Sequence, residues 1–228
     1  MINRLINKIL KINAVSKLLI KPILILHGVC YKLASNISIE INGGIHPKHK
    51  ITKYKEWFLN NIKIDDVILD VGCNTGIMPQ FISKKAKFVY GIEIEKKHIE
   101  FARNHRQQDN IEFICADAIF YDYSKCQPIN IVTLSNVLEH IDNRVSFLKT
   151  LVKKINWKDQ KILLIRAPMI DMDWITLYKK EIGIDYRLDS THFIEYTFKG
   201  FQDELNQSQI EIVSFQIRFG EIYAICKA

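Results

Sequence analysis

The chain lacks the cysteine patterns and flexible linkers that mark small secreted or multidomain proteins. Its five cysteines form no C-x-x-C pair and follow no regular spacing, so reduced cytosolic thiols are expected instead of a disulfide framework. Cys115 and Cys226 lie in apolar runs, and we expect both to be buried as small hydrophobic residues. No Pro- or Gly-rich linker divides the 228 residues, a length that suits one domain with a small appendage.

Acidic residues are also absent from the N-terminal part, where none occurs before Glu40. Residues 1–39 contain six basic residues: Arg4, Lys8, Lys11, Lys17, Lys21 and Lys32. Residues 1–55 carry a formal charge of +9, whereas the whole chain carries +7, so the rest of the chain is nearly neutral. A nucleic-acid enzyme more often spreads basic residues around its cleft.

Apolar residues recur at helical spacing from Ile2 to Ile12, with basic and amide residues between them. The most apolar stretch, residues 18–29, is interrupted by Lys21 and Pro22, and we expect it to be too short and too broken to span a bilayer. The split run and the lack of a small-residue cleavage site disfavour a secretory signal. Two interpretations stay open: a helix packed on the domain or in a dimer, and a basic amphipathic helix lying in a membrane interface.

The rest of the chain alternates between strand-like and helix-like stretches. Short apolar runs rich in Ile and Val, typical of strands covered on both faces, occupy residues 67–71, 88–94, 111–116, 130–135 and 161–166. Polar stretches with helical periodicity lie at 77–85, 96–107 and 143–155, and this alternation predicts an α/β fold with a doubly wound parallel sheet. Two final runs, 210–217 and 221–228, are separated by little more than Gly220, which predicts an antiparallel hairpin.

The stretch VILDVGCNTG, residues 67–76, leads from the first predicted strand into a glycine-rich turn. In a doubly wound sheet, ligands bind at the carboxyl ends of the strands. The dinucleotide fingerprint G-x-G-x-x-G is incomplete, because Asn74 occupies a position where glycine is usual, and no Walker lysine is present. Asp70 just before the turn would repel phosphate. The loop therefore suits a cofactor that has a positive charge and no phosphate.

Two more acids follow predicted strands. Glu93 ends the second strand, 21 residues after Gly72, where a carboxylate accepts hydrogen bonds from ribose hydroxyls. Asp117 follows the third strand, so together with Asp70 these acids predict an electronegative pocket. The segments LDVGCNTG, YGIEIE, CADA and LSNVLEHID, in this order, resemble motifs of the class I S-adenosylmethionine-dependent methyltransferases of the small-molecule branch. The resemblance covers about residues 47–228.

This resemblance implies a Rossmann-like seven-stranded sheet, mostly parallel with an antiparallel C-terminal hairpin, in a methyltransferase domain at residues 47–228. The basic amphipathic helical segment would then occupy residues 1–46. The resemblance also implies S-adenosyl-L-methionine as cofactor and methyl transfer to a small-molecule or sugar acceptor, on an oxygen. Residues 43–62 look more loosely like methyltransferases of surface-polysaccharide gene sets, which favours a glycan or a lipid-linked precursor as acceptor.

The resemblance assigns roles by position in the motifs. It implies that nine residues bind the cofactor: Asp70, Gly72, Asn74, Gly76, Glu93, Ile94, Asp117, Ala118 and Ser135. Asparagine tolerates left-handed backbone, so Asn74 is expected to preserve the turn. For each acid, the alternative is a helix cap or a turn residue.

Two histidines, His140 and His192, are candidate general bases for a hydroxyl acceptor. The alternative for His140 is that it and Glu139 merely cap and pair at a helix start. Seven residues are expected to contact the acceptor, with ordinary loop chemistry as their alternative: His46, His49, Tyr54, Asp171, Trp174, Tyr186 and Arg187.

No metal is expected. Some methyltransferases of this branch carry E-x-x-E-H at the fourth strand and bind a divalent ion, but here Asn136 replaces the first carboxylate. Two hard ligands and an amide make a poor site. Nucleic acid is disfavoured as acceptor, because the chain has no N-P-P-Y-like stretch after the fourth strand and no Pro-Cys pair.

Two other functional classes stay open: a nicotinamide-dependent oxidoreductase, which the incomplete fingerprint disfavours, and a non-catalytic S-adenosylmethionine-binding protein. We expect a cytoplasmic location, with peripheral contact to the inner face of an anionic membrane through residues 1–39.

Overall fold

A computed structural model of the protein describes residues 11–171, 173–187 and 189–228. The strands are β1 Val67–Val71, β2 Phe88–Glu93, β3 Ile111–Cys115, β4 Ile129–Ser135, β5 Trp157–Pro168, β6 Glu211–Arg218 and β7 Glu221–Lys227. The α-helices are α1 Asn13–Ile41, α2 Pro47–Thr52, α3 Tyr54–Asn60, α4 Ile77–Ile82, α5 Lys96–Arg106, α6 Arg144–Lys154, α7 Trp174–Glu181 and α8 Phe198–Gln207. Short 3₁₀ turns span Tyr123–Lys125 and Leu138–His140.

The strands form one seven-stranded sheet in the order β3-β2-β1-β4-β5-β7-β6. Strands β1 to β5 pair in parallel, and β7 runs antiparallel to both β5 and β6. The chain proceeds from β1 to β2 on one side and later returns to place β4 on the other side of β1. The order therefore reverses between β1 and β4, where such a sheet forms a ligand crevice beyond its carboxyl ends. The predicted parallel sheet with an antiparallel C-terminal hairpin is confirmed.

An apolar core covers each face of the sheet. In β1, Val67, Leu69 and Val71 belong to one core and Ile68 to the other, as the two-residue period of a strand requires. All five residues of β1 are buried, because helices pack on both faces. This arrangement explains why the central strands are apolar throughout.

The structure corrects the prediction for Cys115. This residue is exposed, whereas Cys226 is buried as expected. Cys115 is the last residue of β3, and β3 is an edge strand of the sheet in which Glu112 is also exposed. An apolar run alone does not reveal whether its strand lies at the centre or the edge of the sheet. Elsewhere the differences concern bounds: α4 ends at Ile82, and β5 is longer than its apolar run.

The described residues divide into two compact units. One comprises residues 11–52 and 174–186, and the other comprises residues 53–171, 173, 187 and 189–228. In the first unit, Leu24 of α1 is buried, and a Cβ added at Gly28 would lie 3.3 Å from the Lys179 ammonium of α7. The second unit contains the whole sheet. The boundary placed at residue 46 from the sequence stays a prediction.

Helix α1 corrects a second prediction. It continues for 29 residues across Pro22, and by length and composition it is sufficient to cross a membrane. The expectation of a run too short and too broken to span a bilayer was therefore wrong, because an internal proline removes one backbone hydrogen bond while the rest of the ladder persists. A core helix or a signal sequence meets the same criteria. The first part of the amphipathic pattern, residues 2–10, lies outside the described residues.

Candidate active site

The turn between β1 and α4 has the left-handed backbone that the sequence predicts. The φ angles are +69° at Gly72, +48° at Asn74 and +80° at Gly76, which confirms that asparagine preserves the turn. The amides of Gly72 and Cys73 donate to the Ile92 carbonyl at 2.9 and 3.1 Å, so the turn is fixed to the end of β2. A Cβ added to Gly72 would lie 2.8 Å from Val137 Cγ2, so only glycine fits there.

Glu93 holds the far side of the same turn. Its Oε2 accepts a hydrogen bond from the Asn74 amide at 3.0 Å, and its Oε1 accepts one from the Glu95 amide at 3.0 Å. A carboxylate oxygen has two lone-pair directions, so each oxygen keeps capacity for a ligand hydroxyl. Ile94, the next residue, is 63% exposed and offers an apolar surface beside that carboxylate.

Asp70 lies inside β1, and its Oδ1 accepts a hydrogen bond from the Thr133 hydroxyl of β4. Burial raises the pKa of the Asp70 carboxyl to about 7, against the opposing effect of this hydrogen bond. The side chain therefore ties β1 to β4 at the point where the strand order reverses.

Asp117 forms a turn after β3. Its Oδ1 accepts from the Ile119 amide at 2.9 Å, and its backbone carbonyl accepts from the Phe120 and Tyr121 amides. The adjacent Ala118 is half-buried. Asp117 is therefore a turn residue through Oδ1, as the alternative interpretation expects, but the other lone pairs of its carboxylate can still accept from a ligand.

The end of β4 carries a buried acceptor. Asn136 has a φ of +55°, and its amide donates to the Arg166 carbonyl at 2.8 Å. Its side-chain Oδ1 is buried and has no hydrogen-bond partner among the described residues. Buried polar atoms are normally paired, so this oxygen is a candidate contact for a bound ligand. The preceding Ser135 lies 3.4 Å from an Arg166 nitrogen.

A buried ion pair on β5 and β7 supports this strand end. Arg166 donates to both carboxylate oxygens of Glu221, at 3.0 and 2.6 Å, and the Tyr223 hydroxyl donates to Glu221 at 2.7 Å. The guanidinium lies 4.3 Å from the centre of the Tyr54 ring. This network was not predicted from the sequence, although the arginine at the end of the apolar run 161–166 was a signal for it.

The two candidate general bases are brought together. The rings of His140 and His192 meet edge to face, with centroids 4.7 Å apart. His140 Nδ1 lies 3.1 Å from the Thr191 hydroxyl, and His192 Nδ1 lies 2.8 Å from Glu195 Oε1. His140 does not cap the helix that follows, because the side chain of Asn143 caps α6.

Glu139 completes this group. It is buried, neither carboxylate oxygen has a hydrogen-bond partner within the described part of the chain, and one ligand atom each from Glu139, His140 and His192 lies within 4.8 Å of the others. Burial raises the pKa of Glu139 to about 7 and lowers that of His140. Burial also opposes protonation of His192, but the hydrogen bond and charge of Glu195 outweigh it and raise the His192 pKa. The sequence predicted a pairing of Glu139 with His140, but not the approach of His192.

The seven residues expected at the acceptor divide between the two units. His46, His49, Trp174 and Tyr186 belong to the first, and Tyr54, Asp171 and Arg187 belong to the second. Within the first unit, His46 Nε2 lies 3.0 Å from the Ser35 hydroxyl, and Trp174 is 70% exposed.

In the second unit, Asp171 Oδ2 accepts a hydrogen bond from the Phe198 amide at 3.1 Å, which is the ordinary loop contact expected as the alternative to acceptor binding. Arg187 donates to the His192 carbonyl at 3.4 Å, so it contacts the loop that holds the histidine.

Comparison with known proteins finds similarity to methyltransferases in sequence and in fold. Residues 69–155 match the family model of the methyltransferase domain. A probable ribosomal RNA small subunit methyltransferase A of Pyrococcus furiosus is 32% identical over 88 residues, which are 39% of this chain and 31% of the relative. A ubiquinone biosynthesis O-methyltransferase of Coxiella burnetii is 31% identical over 84 residues, 36% of each chain. The chain thus aligns with about a third of the length of these curated relatives.

Among solved structures, magnesium protoporphyrin IX methyltransferase from Synechocystis PCC 6803, with bound SAH, superimposes with a TM-score of 0.60. The identity is 14%, and the match covers 79% of this chain and 82% of the other. At this identity the likeness establishes the fold.

Proposed function

We propose that this chain, a member of the class I S-adenosylmethionine-dependent methyltransferases, transfers a methyl group from S-adenosylmethionine to an oxygen of a small-molecule or sugar acceptor. One observation carries the proposal. The glycine turn is held at the β1–β4 reversal by the Glu93 carboxylate, through the Asn74 amide at 3.0 Å. A carboxylate in this place suits a ribose and disfavours a phosphate.

The residues at the strand ends fit this cofactor. Gly72 lets the turn pack against Val137, where a Cβ would clash, and the unpaired Asn136 oxygen can accept from a donor on the ligand. The acids Asp70, Glu93 and Asp117 complement a positively charged group. When bound, the cofactor supplies a methyl group already activated on a sulfonium.

Each side chain has a distinct part in holding the cofactor. Glu93 would accept hydrogen bonds from the ribose hydroxyls with its remaining lone pairs, and Ile94 would contact the sugar. Asp117 would accept from the adenine amine, with Ala118 against the ring. Asp70 would keep the turn in place through Thr133, since its carboxylate is only 2% exposed.

The protein's further contribution is to hold the acceptor oxygen in line with the methyl group. Proximity and orientation can lower a barrier by about 7–11 kcal/mol in favourable cases. A hydroxyl acceptor must also lose its proton. His140 is exposed and His192 is buried beside it, so the pair reaches solvent on one side. A positioned base contributes roughly 10²–10⁴-fold.

Thermal unfolding of the purified chain tests the cofactor. S-adenosylmethionine and its demethylated product should each raise the melting temperature, whereas NAD should leave it unchanged. An equal response to NAD would favour the oxidoreductase and contradict the proposal. A mass-spectrometric screen for methylated sugars, lipid-linked sugars and small phenols tests turnover. Cofactor binding without turnover on any acceptor would favour the non-catalytic alternative.

We also propose that α1 lies on an anionic membrane surface and brings the enzyme to a lipid-linked acceptor. Large apolar side chains on α1 are at least half exposed: Leu18, Ile23, Ile25, Leu26, Val29, Tyr31, Leu33 and Ile37. Lys17, Lys21 and Lys32 are exposed among them, and the helix has no acid before Glu40. Each such lysine gains about 1 kcal/mol near an anionic leaflet.

Vesicle sedimentation tests this placement. The chain should bind phosphatidylserine-containing vesicles at low salt, and high salt should weaken binding by screening. Deletion of residues 1–39 should abolish binding and preserve the thermal shift with S-adenosylmethionine. A full-length variant with Lys17, Lys21 and Lys32 changed to Gln is the control for charge alone. Retention in membranes at alkaline pH would indicate a spanning helix, and indifference to vesicles would refute the proposal.

A further inference from the structure

Glu139 is a fully buried acid whose two carboxylate oxygens accept no hydrogen bond from any other residue in the described ranges of the chain. An unpaired carboxylate is costly to bury. Buried acids are therefore paired with a donor, kept protonated, or bound to a cation. One ring nitrogen of His140 and one of His192 lie within 4.8 Å of a Glu139 carboxylate oxygen, so the protonation state of these rings decides which of the three applies.

The hydrogen-bond partners around the two rings favour one tautomer of each. The Thr191 hydroxyl donates to Asp189 Oδ1 at 2.9 Å, so toward His140 it acts as an acceptor, and Nδ1 of that ring carries the hydrogen. Glu195 Oε1 likewise accepts from His192 Nδ1 at 2.8 Å. In the neutral rings, both Nε2 atoms therefore keep their lone pairs. In these tautomers neither ring has a second N–H to donate to the nearby Glu139 carboxylate.

We propose that Glu139, His140 and His192 bind one divalent transition-metal ion, through the carboxylate and the two Nε2 atoms. Two imidazoles and one carboxylate suit zinc, cobalt, manganese or iron better than magnesium or calcium. Metal-bound histidines are usually oriented by a hydrogen bond from the second ring nitrogen to a neighbouring group, and here Thr191 and Glu195 would have that role. Ligand atoms on one tetrahedral ion are roughly 3.4 Å apart, so small side-chain rotations close the set.

This inference differs from the expectation of no metal, which counted only ligands within residues 136–140. His192 lies 52 residues beyond His140 in the chain and reaches the cluster because the Phe193 amide donates to the Glu139 carbonyl at 2.8 Å. The exposed side of His140 gives an ion access from solvent. Three protein ligands leave coordination positions open, which an oxygen of the acceptor would occupy.

The inference deepens the proposed function and rests on it only for the acceptor's oxygen. In the metal-bound state the ion would polarise the acceptor hydroxyl and lower its pKa, so that its proton would leave to solvent water on the exposed side of His140 instead of passing directly to an imidazole. The site itself is testable without turnover, because metal binding has its own readout.

The test titrates the chelator-treated full chain with Co²⁺, Mn²⁺ or Zn²⁺ and measures stoichiometry, the visible spectrum of Co²⁺ and the melting temperature. We expect one ion per chain and a rise in melting temperature. Glu139→Gln should abolish binding yet fold at least as stably without metal, because it removes a buried unpaired charge. Glu195→Gln should weaken binding roughly 10–100-fold, as an outer partner does.

The matched control changes the exposed Glu100 and His105 of α5 to Gln and Asn, and it should bind metal as the wild type does. Wild-type affinity in Glu139→Gln, or no binding at millimolar metal, overturns the inference. The thermal shift with S-adenosylhomocysteine is measured on the same samples. A chain that keeps this shift and binds no metal refutes the metal site alone, whereas loss of the shift in the wild type refutes the proposed function.

Discussion

Replacement of Glu93 should separate cofactor affinity from stability. In Glu93→Gln the side chain keeps its shape and one oxygen but loses its charge. A hydrogen bond to a charged group contributes about 1.5–3 kcal/mol, so loss of the charge should weaken S-adenosylhomocysteine binding roughly 10–150-fold. Glu93→Ala removes both acceptors of the ribose hydroxyls, and a loss of about 10²–10⁴-fold is expected.

Folding should change little in either variant. The amides of Asn74 and Glu95, which Glu93 accepts from, belong to exposed residues, so water can replace the carboxylate. The expected cost is about 1 kcal/mol or less, which thermal unfolding without ligand will measure.

Isothermal titration with S-adenosylhomocysteine is the assay for affinity. Glu95→Gln is the matched control, because Glu95 has an exposed side chain that makes no capping hydrogen bond to α5. It should bind with wild-type affinity. Glu93→Ala binding as tightly as the wild type, or Glu95→Gln losing as much as Glu93→Gln, would refute the assignment of the ribose contact to Glu93.

Three further substitutions test the framework of the site. Gly72→Ala should lower the melting temperature more than Gly183→Ala. Both glycines have φ near +70°, where an alanine costs about 1–2 kcal/mol, but only at Gly72 would the added Cβ clash with another residue. Equal losses in melting temperature would refute the close contact at Gly72. Arg166→Met should cost about 3–5 kcal/mol in urea unfolding by leaving the buried Glu221 charge without its cation, and adding Glu221→Met should recover part of it. Asp70→Asn should stabilise the chain above pH 5. Burial raises the Asp70 pKa to about 7, so wild-type stability falls as pH rises from the unfolded value of about 4 toward 7, and the advantage of Asn should reach on the order of 4 kcal/mol at pH 8. A pH-independent difference in unfolding free energy would contradict that reasoning.

The sheet was predictable because its signals are local. Each parallel strand is a buried apolar run, and the residues that end these runs lie at one edge by topology. Glu93 could be assigned to the end of β2 from its spacing alone. The left-handed turn at Asn74 also followed from the chemistry of one short segment.

The histidine cluster and the buried ion pair depend on contacts that no local pattern records. Arg166 and Glu221 face each other only because β7 inserts antiparallel beside β5, with Pro168 in register with Glu221. His192 meets His140 through a loop whose path is set by a backbone hydrogen bond to Glu139. Cys115 shows the same limit, because edge and central strands share their apolar pattern.

Two of the buried acids, Asp70 and Glu139, differ in how their burial is offset. Asp70 and Glu139 both have a pKa raised to about 7 by burial, so each destabilises the fold when ionised. Asp70 has a hydrogen-bond donor within the chain, the Thr133 hydroxyl, and this hydrogen bond links β1 to β4. Glu139 has no such donor among the described residues, and an apolar residue of similar size would pack there at lower cost. Its compensation must come from a proton or from a group outside the chain. When His140 and His192 are both neutral, with their Nδ1 hydrogens directed at Thr191 and Glu195, neither ring offers Glu139 a proton, and a cation is the partner that would stabilise all three groups at once.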